Sequence, residues 1–283
     1  MRGSSVLFVR LFLGTMLVAA GARCSRRTLV VVDPTPCGEA GASSCASGLM
    51  DDLVGFWRLN DAPGSATARD VSVWANDGTL VGLDPATAWI ADGPEGGALS
   101  IEGKGYVNVP ASPSIDSITM QVTMAAWMYI DGTITDYATA ISRQIGTGYE
   151  QHYHLSINAQ QLPAVFIDTP ASGQTFFPGP APVPQKVWVH LAATYDGAIV
   201  RLYVNGAQVA NHAAHGPFAA ETNPVVLSGN ANAAAQTVSE RVPGRLDDVM
   251  LYRRALSADE IARIYGGALL APGGTPGDGG PGQ

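Results

Sequence analysis

The segment from Lys186 to Gly206 (KVWVHLAATYDGAIVRLYVNG) most constrains the fold of this chain. It contains two apolar runs, separated by the turn Asp196-Gly197 and closed by a second turn, Asn205-Gly206. Such dipeptides favour tight hairpin turns, because Gly and Asn adopt positive φ at little steric cost. In the second run, apolar residues alternate with Arg201 and Tyr203. The segment is therefore predicted to be a β-meander with one buried face.

The composition agrees with a β protein that has many turns. Only 14% of the residues are charged, whereas the chain has 33 Gly and 19 Pro. The formal net charge of −8, with no Lys/Arg run, argues against a nucleic-acid partner. After the two ends are removed, roughly 210 residues remain, which is enough for one two-layer domain with a sizeable core.

The two ends of the chain differ in composition from its middle. Residues 1–22 have a basic start, a short apolar run and an Ala-Gly-Ala cleavage site, so they are predicted to be an export signal. Residues 23–52 are predicted to be a flexible tether, residues 53–266 a single domain, and residues 267–283 a disordered Gly/Pro tail. The protein is thus expected to be exported, either secreted or associated with the cell envelope.

All three cysteines precede the predicted domain. Cys24, in the sequence GARC, resembles the lipidated cysteine of a bacterial lipoprotein, although Arg23 departs from the small residue usual there. Plain secretion is the alternative, and a lipid on Cys24 is the only membrane attachment expected. Cys37 and Cys45 are candidates for a small disulfide-closed loop in an oxidising compartment.

The middle of the chain is predicted to consist of about a dozen short strands and one helix. The run Val122 to Ile130 is almost continuously apolar and is predicted to be a central strand. The helix starts at Ser257, which has the capping-box spacing with Glu260, and ends at Gly266. The predicted fold class is all-β, with two antiparallel sheets stacked as a sandwich and one short C-terminal helix.

Several segments together resemble the laminin-G-like, concanavalin A-like jelly-roll family of bacterial surface and secreted proteins. They are the meander above, VTMAAWMYI at residues 122–130, LVGFWRLND at 53–61, NDGTL at 76–80, GALSIEG at 97–103, YVNVPASP at 106–113 and GRLDDVMLYRRALSADEIARIY at 244–265. The resemblance implies a jelly-roll sandwich that serves as a binding or spacer module.

The resemblance also implies a structural Ca²⁺ between the first and the last strand. Asp247 matches the position of the carboxylate on the closing strand, and Asp61, Asn76 and Asp77 are the loop candidates to join it. Carboxylate and carbonyl oxygens suit this hard cation. The alternative is that Asp247 is an ordinary carboxylate on the surface of an acidic protein.

Aromatic and polar residues between the framework strands are the candidates for ligand binding, because aromatic rings stack on sugars. The candidates are Tyr149, His152, Tyr153, Phe176, Phe177 and, for an anionic sugar, Arg143. The alternative is that the aromatic side chains only cover the edge of the sandwich. His152 and His154 share one strand face, as a metal pair would, but without a third ligand an exposed strand face is the preferred interpretation.

The sequence lacks the motifs of catalysis known on such folds. It has neither the E-x-D-x-x-E strand of related endoglycanases nor a G-x-S-x-G nucleophile elbow. The preferred hypothesis is a non-enzymatic module that recognises a glycan or a surface glycoprotein. The alternatives are a structural or adhesive protein–protein module and a diverged glycoside hydrolase.

Overall fold

A computed structural model describes residues 48–94, 96–146, 151–232 and 237–269. Within these residues the fold is an antiparallel β-sandwich of two large sheets, as the sequence predicted. The strands are, in chain order, β1 (Leu53–Trp57), β2 (Thr67–Ala68), β3 (Gly78–Val81), β4 (Trp89–Gly93), β5 (Gly96–Ser100), β6 (Tyr106–Val109), β7 (Val122–Ile130), β8 (Tyr137–Gln144), β9 (Gln151–Asn158), β10 (Pro163–Thr169), β11 (Gly173–Pro178), β12 (Trp188–Tyr195), β13 (Ile199–Val204), β14 (Ala207–Ala213), β15 (Val225–Leu227), β16 (Asn230–Asn232), β17 (Thr237–Ser239) and β18 (Gly244–Tyr252). The helices are α1 (Pro85–Ala88), α2 (Pro113–Asp116) and α3 (Ala258–Tyr265).

The two large sheets each contain eight strands. The first sheet has the order β14-β13-β12-β7-β18-β5-β4, with β1 also paired to β18. The second sheet has the order β11-β10-β9-β8-β15-β6-β3-β2, and β16 and β17 form a separate hairpin. Consecutive strands are often not neighbours, which is the topology of a jelly roll rather than of a simple meander.

The first and last strands of the sandwich pair with each other. Leu53 of β1 lies opposite Tyr252 of β18, and Trp57 lies opposite Val249. On its other edge β18 pairs with β7, the predicted central strand, in which Ala125 lies opposite Met250. The pairing therefore joins the two ends of the domain in the middle of one sheet.

The core between the sheets is built by strict alternation. On the meander strands, Leu191, Ala193, Val200 and Leu202 point into the core, together with Tyr195. This is the buried face that the alternation of apolar residues in the meander predicted. Trp57 is fully buried in the same core, and its indole Nε1 donates to the carbonyl oxygen of Asn76 at 2.9 Å.

Helix α3 covers the opposite face of the first sheet. The capping box predicted from Ser257 and Glu260 is present, and Ile261 and Ile264 face the sheet. Tyr203, which alternation placed on the solvent side of the meander, is buried in this second, smaller cluster together with Met250. The second face of the meander is buried because α3 packs on it, which the local sequence does not reveal.

The domain extends beyond both boundaries predicted from the sequence. Residues 48–52 were assigned to the tether, yet Leu49 is fully buried against the cluster under α3. Arg254 Nη2 also donates to the carbonyl oxygen of Gly48 at 2.7 Å. At the other end, Ala268 and Leu269 pack against the same cluster. These small apolar contacts carry no periodicity, so composition alone could not reveal them.

The structure adds short elements that sequence patterning missed. The strands β2, β4, β11, β14, β16 and β17 are short or carry few apolar residues. The one-turn helices α1 and α2 are capped by Asp84 and Ser112, and each starts with a proline.

Several predictions concern residues outside those described. They are the export signal at 1–22, the tether up to residue 47, the roles of Cys24, Cys37 and Cys45, and most of the Gly/Pro tail. In the described part of the chain, the helices are all too short or too polar to span a bilayer.

A glycine in β1 tests the packing around Trp57. A methyl group added at Gly55 would lie 2.8 Å from atoms Cζ2 and Cζ3 of the Trp57 ring. We expect Gly55→Ala to lower the free energy of unfolding by about 2–3 kcal/mol, because the buried indole has no room to move. Urea denaturation measures the change. Gly48→Ala is the control, since a methyl group there meets nothing within 4 Å; equal stability of the two variants would contradict the interpretation.

Candidate functional site

The outward face of the second sheet is polar but buried. On β9, Tyr153, Leu155 and Ile157 point into the core, so His152 and His154 point to the opposite face. Both histidines are only 1% exposed. A polar face on the outside of a sandwich is buried only when another part of the chain lies over it. Here the covering residues come from outside the two large sheets.

An aromatic cluster lies on this face across β8, β9, β10 and β11. The imidazole of His154 stacks on Phe166, with the ring centroids 4.8 Å apart and the planes 10° apart. Phe166 contacts Phe176 at 4.5 Å. Tyr137 approaches Phe166 edge-on at 5.4 Å and His154 at 6.0 Å. The four rings form one continuous cluster, in which Tyr137 meets the other three edge-on.

A carboxylate is held beside the aromatic cluster. Thr139 Oγ1 donates to Glu240 Oε2 at 2.9 Å and lies 2.6 Å from His154 Nε2. Asn230 Nδ2 donates to the other carboxylate oxygen of Glu240 at 3.1 Å. Because the single hydroxyl proton of Thr139 goes to Glu240, Nε2 of His154 must carry the proton of that ring. Glu240 has a positive φ of 57°, so the backbone turns sharply where the hairpin returns to the sheet.

Burial sets the protonation states in this cluster. It lowers the pKa of His154 to about 3, so this imidazole is neutral at physiological pH. Burial raises the pKa of Glu240, and hydrogen bonds from Asn230 and Thr139 oppose the rise. The pKa of Tyr137 is raised by burial and by the nearby carboxylates of Asp136 and Glu240. The site is therefore a weakly charged patch with a carboxylate that is ready to accept hydrogen bonds.

A pocket of about 270 Å³ opens beside this patch. Tyr137 contributes an aromatic ring, Glu240 a carboxylate and Arg241 a guanidinium. Its remaining lining residues are Gly103, Thr133, Ile134, Thr135 and Pro243. The lining therefore combines an aromatic residue with hydrogen-bond donors and acceptors.

The structure moves most of the predicted ligand-binding residues into the interior. Tyr153 is fully buried in the core and presents no face to a ligand. Phe177 is also in the core, and His152 is buried against Phe218. These residues lie on strands rather than in loops: alternation places Tyr153 and Phe177 in the core, while His152 points to the other face and is buried there. Phe176 is 40% exposed and belongs to the aromatic cluster, whereas Tyr149 lies outside the described residues.

Arg143 is a structural residue rather than an anion site. Its side chain is 1% exposed and forms an ion pair with Asp116. Its other N–H groups donate to the carbonyl oxygens of Ile115, Glu221 and Asn223. The buried guanidinium ties β8 to α2 and to the loop of residues 221–223, so the expectation that it contacts an anionic sugar is wrong.

Three residues of the site, Tyr137, Phe166 and Glu240, were missed in the sequence. Phe166 carried a usable signal, since it alternates with Val165 and Ile167, which belong to the core. Glu240 carried none, because it reaches Thr139 across a sequence separation of 101 residues. The preferred interpretation of an exposed strand face for His152 and His154 was wrong for the same reason.

Three of the predicted calcium ligands already form hydrogen bonds within the protein, and Asp61 and Asp77 lie near each other. Asn76 uses its amide to donate to Val54 O and Ser114 Oγ, which ties its loop to β1. Asp61 accepts from the Arg69 amide, and Asp77 accepts from the Asp70 amide. Asp247 is buried on β18. Among the residues that the structure describes, no three His, Cys, Asp or Glu side chains are grouped to hold a metal ion.

The fold is a two-sheet β-sandwich with a pocket on its surface. The profile of the concanavalin A-like lectin/glucanases superfamily, of the laminin G type, matches residues 102–262, which is more than half of the chain. The chain belongs to this superfamily. The resemblance noted in the sequence is confirmed.

Individual relatives are distant. Pappalysin-1 from Mus musculus is 35% identical over 79 residues, which is 26% of this chain and 4% of that protein. The binding domain of Paraclostridial mosquitocidal protein 1 has a TM-score of 0.58 at 15% identity, over 77% of this chain and 52% of that one. Domain 4 of AbnA, an extracellular arabinanase from Geobacillus stearothermophilus, has a TM-score of 0.55 at 17% identity, over 76% of this chain and 98% of that one; its structure contains arabinotriose. These likenesses show the fold.

Calcium binding stays a prediction that rests on the family resemblance. If Asp247 binds Ca²⁺ with backbone carbonyls, a calcium concentration 100-fold above Kd adds about 2.7 kcal/mol to stability. The prediction is that calcium raises the Tm of chelated protein by several degrees, as scanning calorimetry measures. Magnesium at the same concentration is the ionic control. An identical Tm in EDTA and in calcium contradicts the prediction.

The buried histidines predict a loss of stability in mild acid. Burial lowers the pKa of His152 to about 4 and those of His154 and His190 to about 3. Unfolding restores a pKa near 6.5, so the unfolded chain binds more protons as the pH falls below that value. Each histidine then lowers the free energy of unfolding by about 1.4 kcal/mol per pH unit.

Urea denaturation between pH 7.5 and 5 measures this slope. His190 packs beneath Trp127 and Tyr265, away from the pocket. We expect His190→Phe to keep the ring packing and to reduce the slope by about one proton. Parallel pH profiles for the two proteins would show that His190 does not titrate on unfolding.

Proposed function

We propose that this protein is a non-enzymatic, carbohydrate-binding module, and that one sugar residue binds in the pocket between Tyr137 and Glu240. The observation that carries the proposal is the combination in one pocket of an aromatic ring, a carboxylate and a guanidinium. A sugar ring offers C–H groups on its faces and hydroxyls at its rim. Tyr137 matches the face, and the charged and hydroxyl side chains match the rim.

The site is preorganised for this task. Glu240 is already held by Thr139 and Asn230, and the ring of Tyr137 is held by its contacts with Phe166 and Phe176. A ligand therefore does not have to order these side chains, which reduces the entropic cost of binding. The partner at this site is a terminal or exposed sugar of a glycan or glycoprotein.

A neutral sugar fits the charges better than an acidic one. Arg241 attracts an anion, but Glu240 lines the same pocket and Asp136 is close enough to act on the pKa of Glu240. The two carboxylates oppose a ligand carboxylate. A neutral sugar instead donates hydroxyl protons to Glu240 and accepts hydrogen bonds from Arg241.

The lining of the pocket supports binding rather than hydrolysis. Glycoside hydrolysis by the usual mechanism needs two carboxyl groups that flank the scissile bond. Among the described residues that line this pocket, Glu240 is the one carboxylic acid. Its neighbour Thr139 holds it by a hydrogen bond and leaves it as an acceptor.

We further propose that the chain is exported and acts at the cell envelope. The basic and apolar start of residues 1–22 and the position of Cys24 support this proposal. Mass spectrometry of the mature N-terminus tests it, because a cleaved chain and a diacylated Cys24 have different masses. An intact Met1 in the envelope fraction would contradict it.

A glycan array followed by calorimetry tests the sugar site. We expect Tyr137→Ala and Glu240→Gln each to weaken binding of the best neutral glycan about tenfold, because stacking and one charge-assisted hydrogen bond are each worth about 1–2 kcal/mol. Tyr129→Ala is the matched control, since Tyr129 is a half-buried aromatic residue on the first sheet.

Two outcomes contradict the proposal. The first is that no glycan binds at high micromolar concentration. The second is that Tyr137→Ala and Tyr129→Ala weaken binding equally, which would place the sugar elsewhere.

A further inference from the structure

A second surface, remote in sequence from the sugar pocket, exposes large apolar side chains. Val71, Val73 and Trp74 are 45%, 86% and 45% exposed. They lie in the loop of residues 70–76, which we call the Trp74 loop. Isolated exposed apolar residues are ordinary, but three in four positions of one loop form a patch that calls for a partner.

The Trp74 loop is held rigidly from inside. Asp70 is buried, and its Oδ1 accepts from the amides of Phe56 and Ser72, both at 2.8 Å. Its Oδ2 accepts from the Asn76 amide and from Ser72 Oγ, both at 2.7 Å. Ser72 Oγ in turn accepts from the Trp74 amide at 3.2 Å. This network keeps the apolar side chains pointing outward, where they cannot relax into the core.

The polar groups of the loop are consumed by that network. The Asn76 amide group donates to Val54 O and Ser114 Oγ, and the Asn76 carbonyl accepts from Trp57. A sugar site needs polar groups that converge on the ligand beside the aromatic ring. Here Trp74 is flanked by valines instead, so the surface suits a hydrocarbon environment better than a sugar.

A cation lies at the base of the patch. The guanidinium of Arg253 is 5.7 Å from the ring centroid of Trp74 and forms an ion pair with Asp52 at 2.7 Å. Arg69, directly before the loop, is also exposed. A tryptophan with a neighbouring arginine is the pairing found at membrane interfaces, where the indole lies among the headgroups and the cation meets phosphate.

The chain also enters the domain next to this surface. Arg254, the neighbour of Arg253, holds the carbonyl oxygen of Gly48, where the described residues begin. Asp52, four residues after Gly48, pairs with Arg253 beside Trp74. Any attachment of residues 1–24 to a bilayer therefore acts through a segment that enters the domain beside the Trp74 loop.

We propose that the Trp74 loop inserts into the headgroup region of a phospholipid bilayer, with Val71, Val73 and Trp74 as the wedge and Arg253 paired with a lipid phosphate. The surface would orient the domain on the membrane and leave the Tyr137 pocket free for its ligand. The proposal is independent of the sugar site, since no residue is shared between the two surfaces.

Quenching by brominated lipids tests the insertion in the full chain. The protein is mixed with vesicles of phosphatidylcholine and phosphatidylglycerol at 3:1, with bromine on the acyl chains, and tryptophan fluorescence is recorded. The other tryptophans, Trp57, Trp89, Trp127 and Trp188, are buried or half-buried. We expect wild type to be quenched and Trp74→Phe to lose that quenching, because only Trp74 enters the bilayer.

Two charge variants separate the loop from the N-terminal attachment. Val73→Asp puts a carboxylate at the tip of the wedge and is expected to lower vesicle partitioning about tenfold or more. Val187→Asp is the matched control, since Val187 is an exposed valine at another site, 37% exposed. Both variants keep residues 1–47, so their difference reports the loop alone. Near-UV circular dichroism verifies that both are folded.

Three results would overturn the proposal. One is vesicle binding without quenching of Trp74, which would assign all attachment to the N-terminal segment. Another is equal partitioning of Val73→Asp and Val187→Asp. The third is a Trp74-dependent dimer in sedimentation equilibrium without insertion into vesicles, which would assign the patch to a second copy of the chain.

Discussion

The pairing of β1 with β18 is the interaction on which the rest of the structure depends. It places the first and the last strand of the domain side by side and, through β7, in the middle of the first sheet. Pairing strands from the two ends of the domain has an unfavourable loop-closure entropy, and only the contacts of the completed core offset it. The buried Trp57 on β1 and the capped helix α3 add contacts at this junction.

The same closure positions the Trp74 loop beside Arg253. Arg253 follows β18, while Trp74 lies in the loop between β2 and β3 that Asp70 ties to β1, and the closure brings their side chains together. The sugar pocket depends on a different long-range contact. Glu240, which follows the β16–β17 hairpin, accepts a hydrogen bond from Thr139 on β8. Both surfaces therefore lie where segments distant in sequence meet, and the regular sheets serve as their support.

Individual residues show how far sequence patterns reach. The alternation of Val200 and Leu202 predicted a buried face correctly, and Ser257 with Glu260 predicted the helix start. Alternation also implied that Tyr203 and His154 face solvent, and both are buried, because α3 and the β16–β17 hairpin cover those faces. A period of two separates the faces of a strand but does not say whether a second layer lies on each.

The sequence by itself determined the main core strands, the tight turns, the capped helix and the superfamily, because these follow from local φ preferences and from short-range periodicity. The tertiary structure decided which polar groups are buried, that Arg143 is a cross-link, and that Tyr137 and Glu240 share one pocket. These outcomes depend on contacts between residues up to about a hundred positions apart. Local physical chemistry does not encode such contacts; the closing of the sandwich creates them.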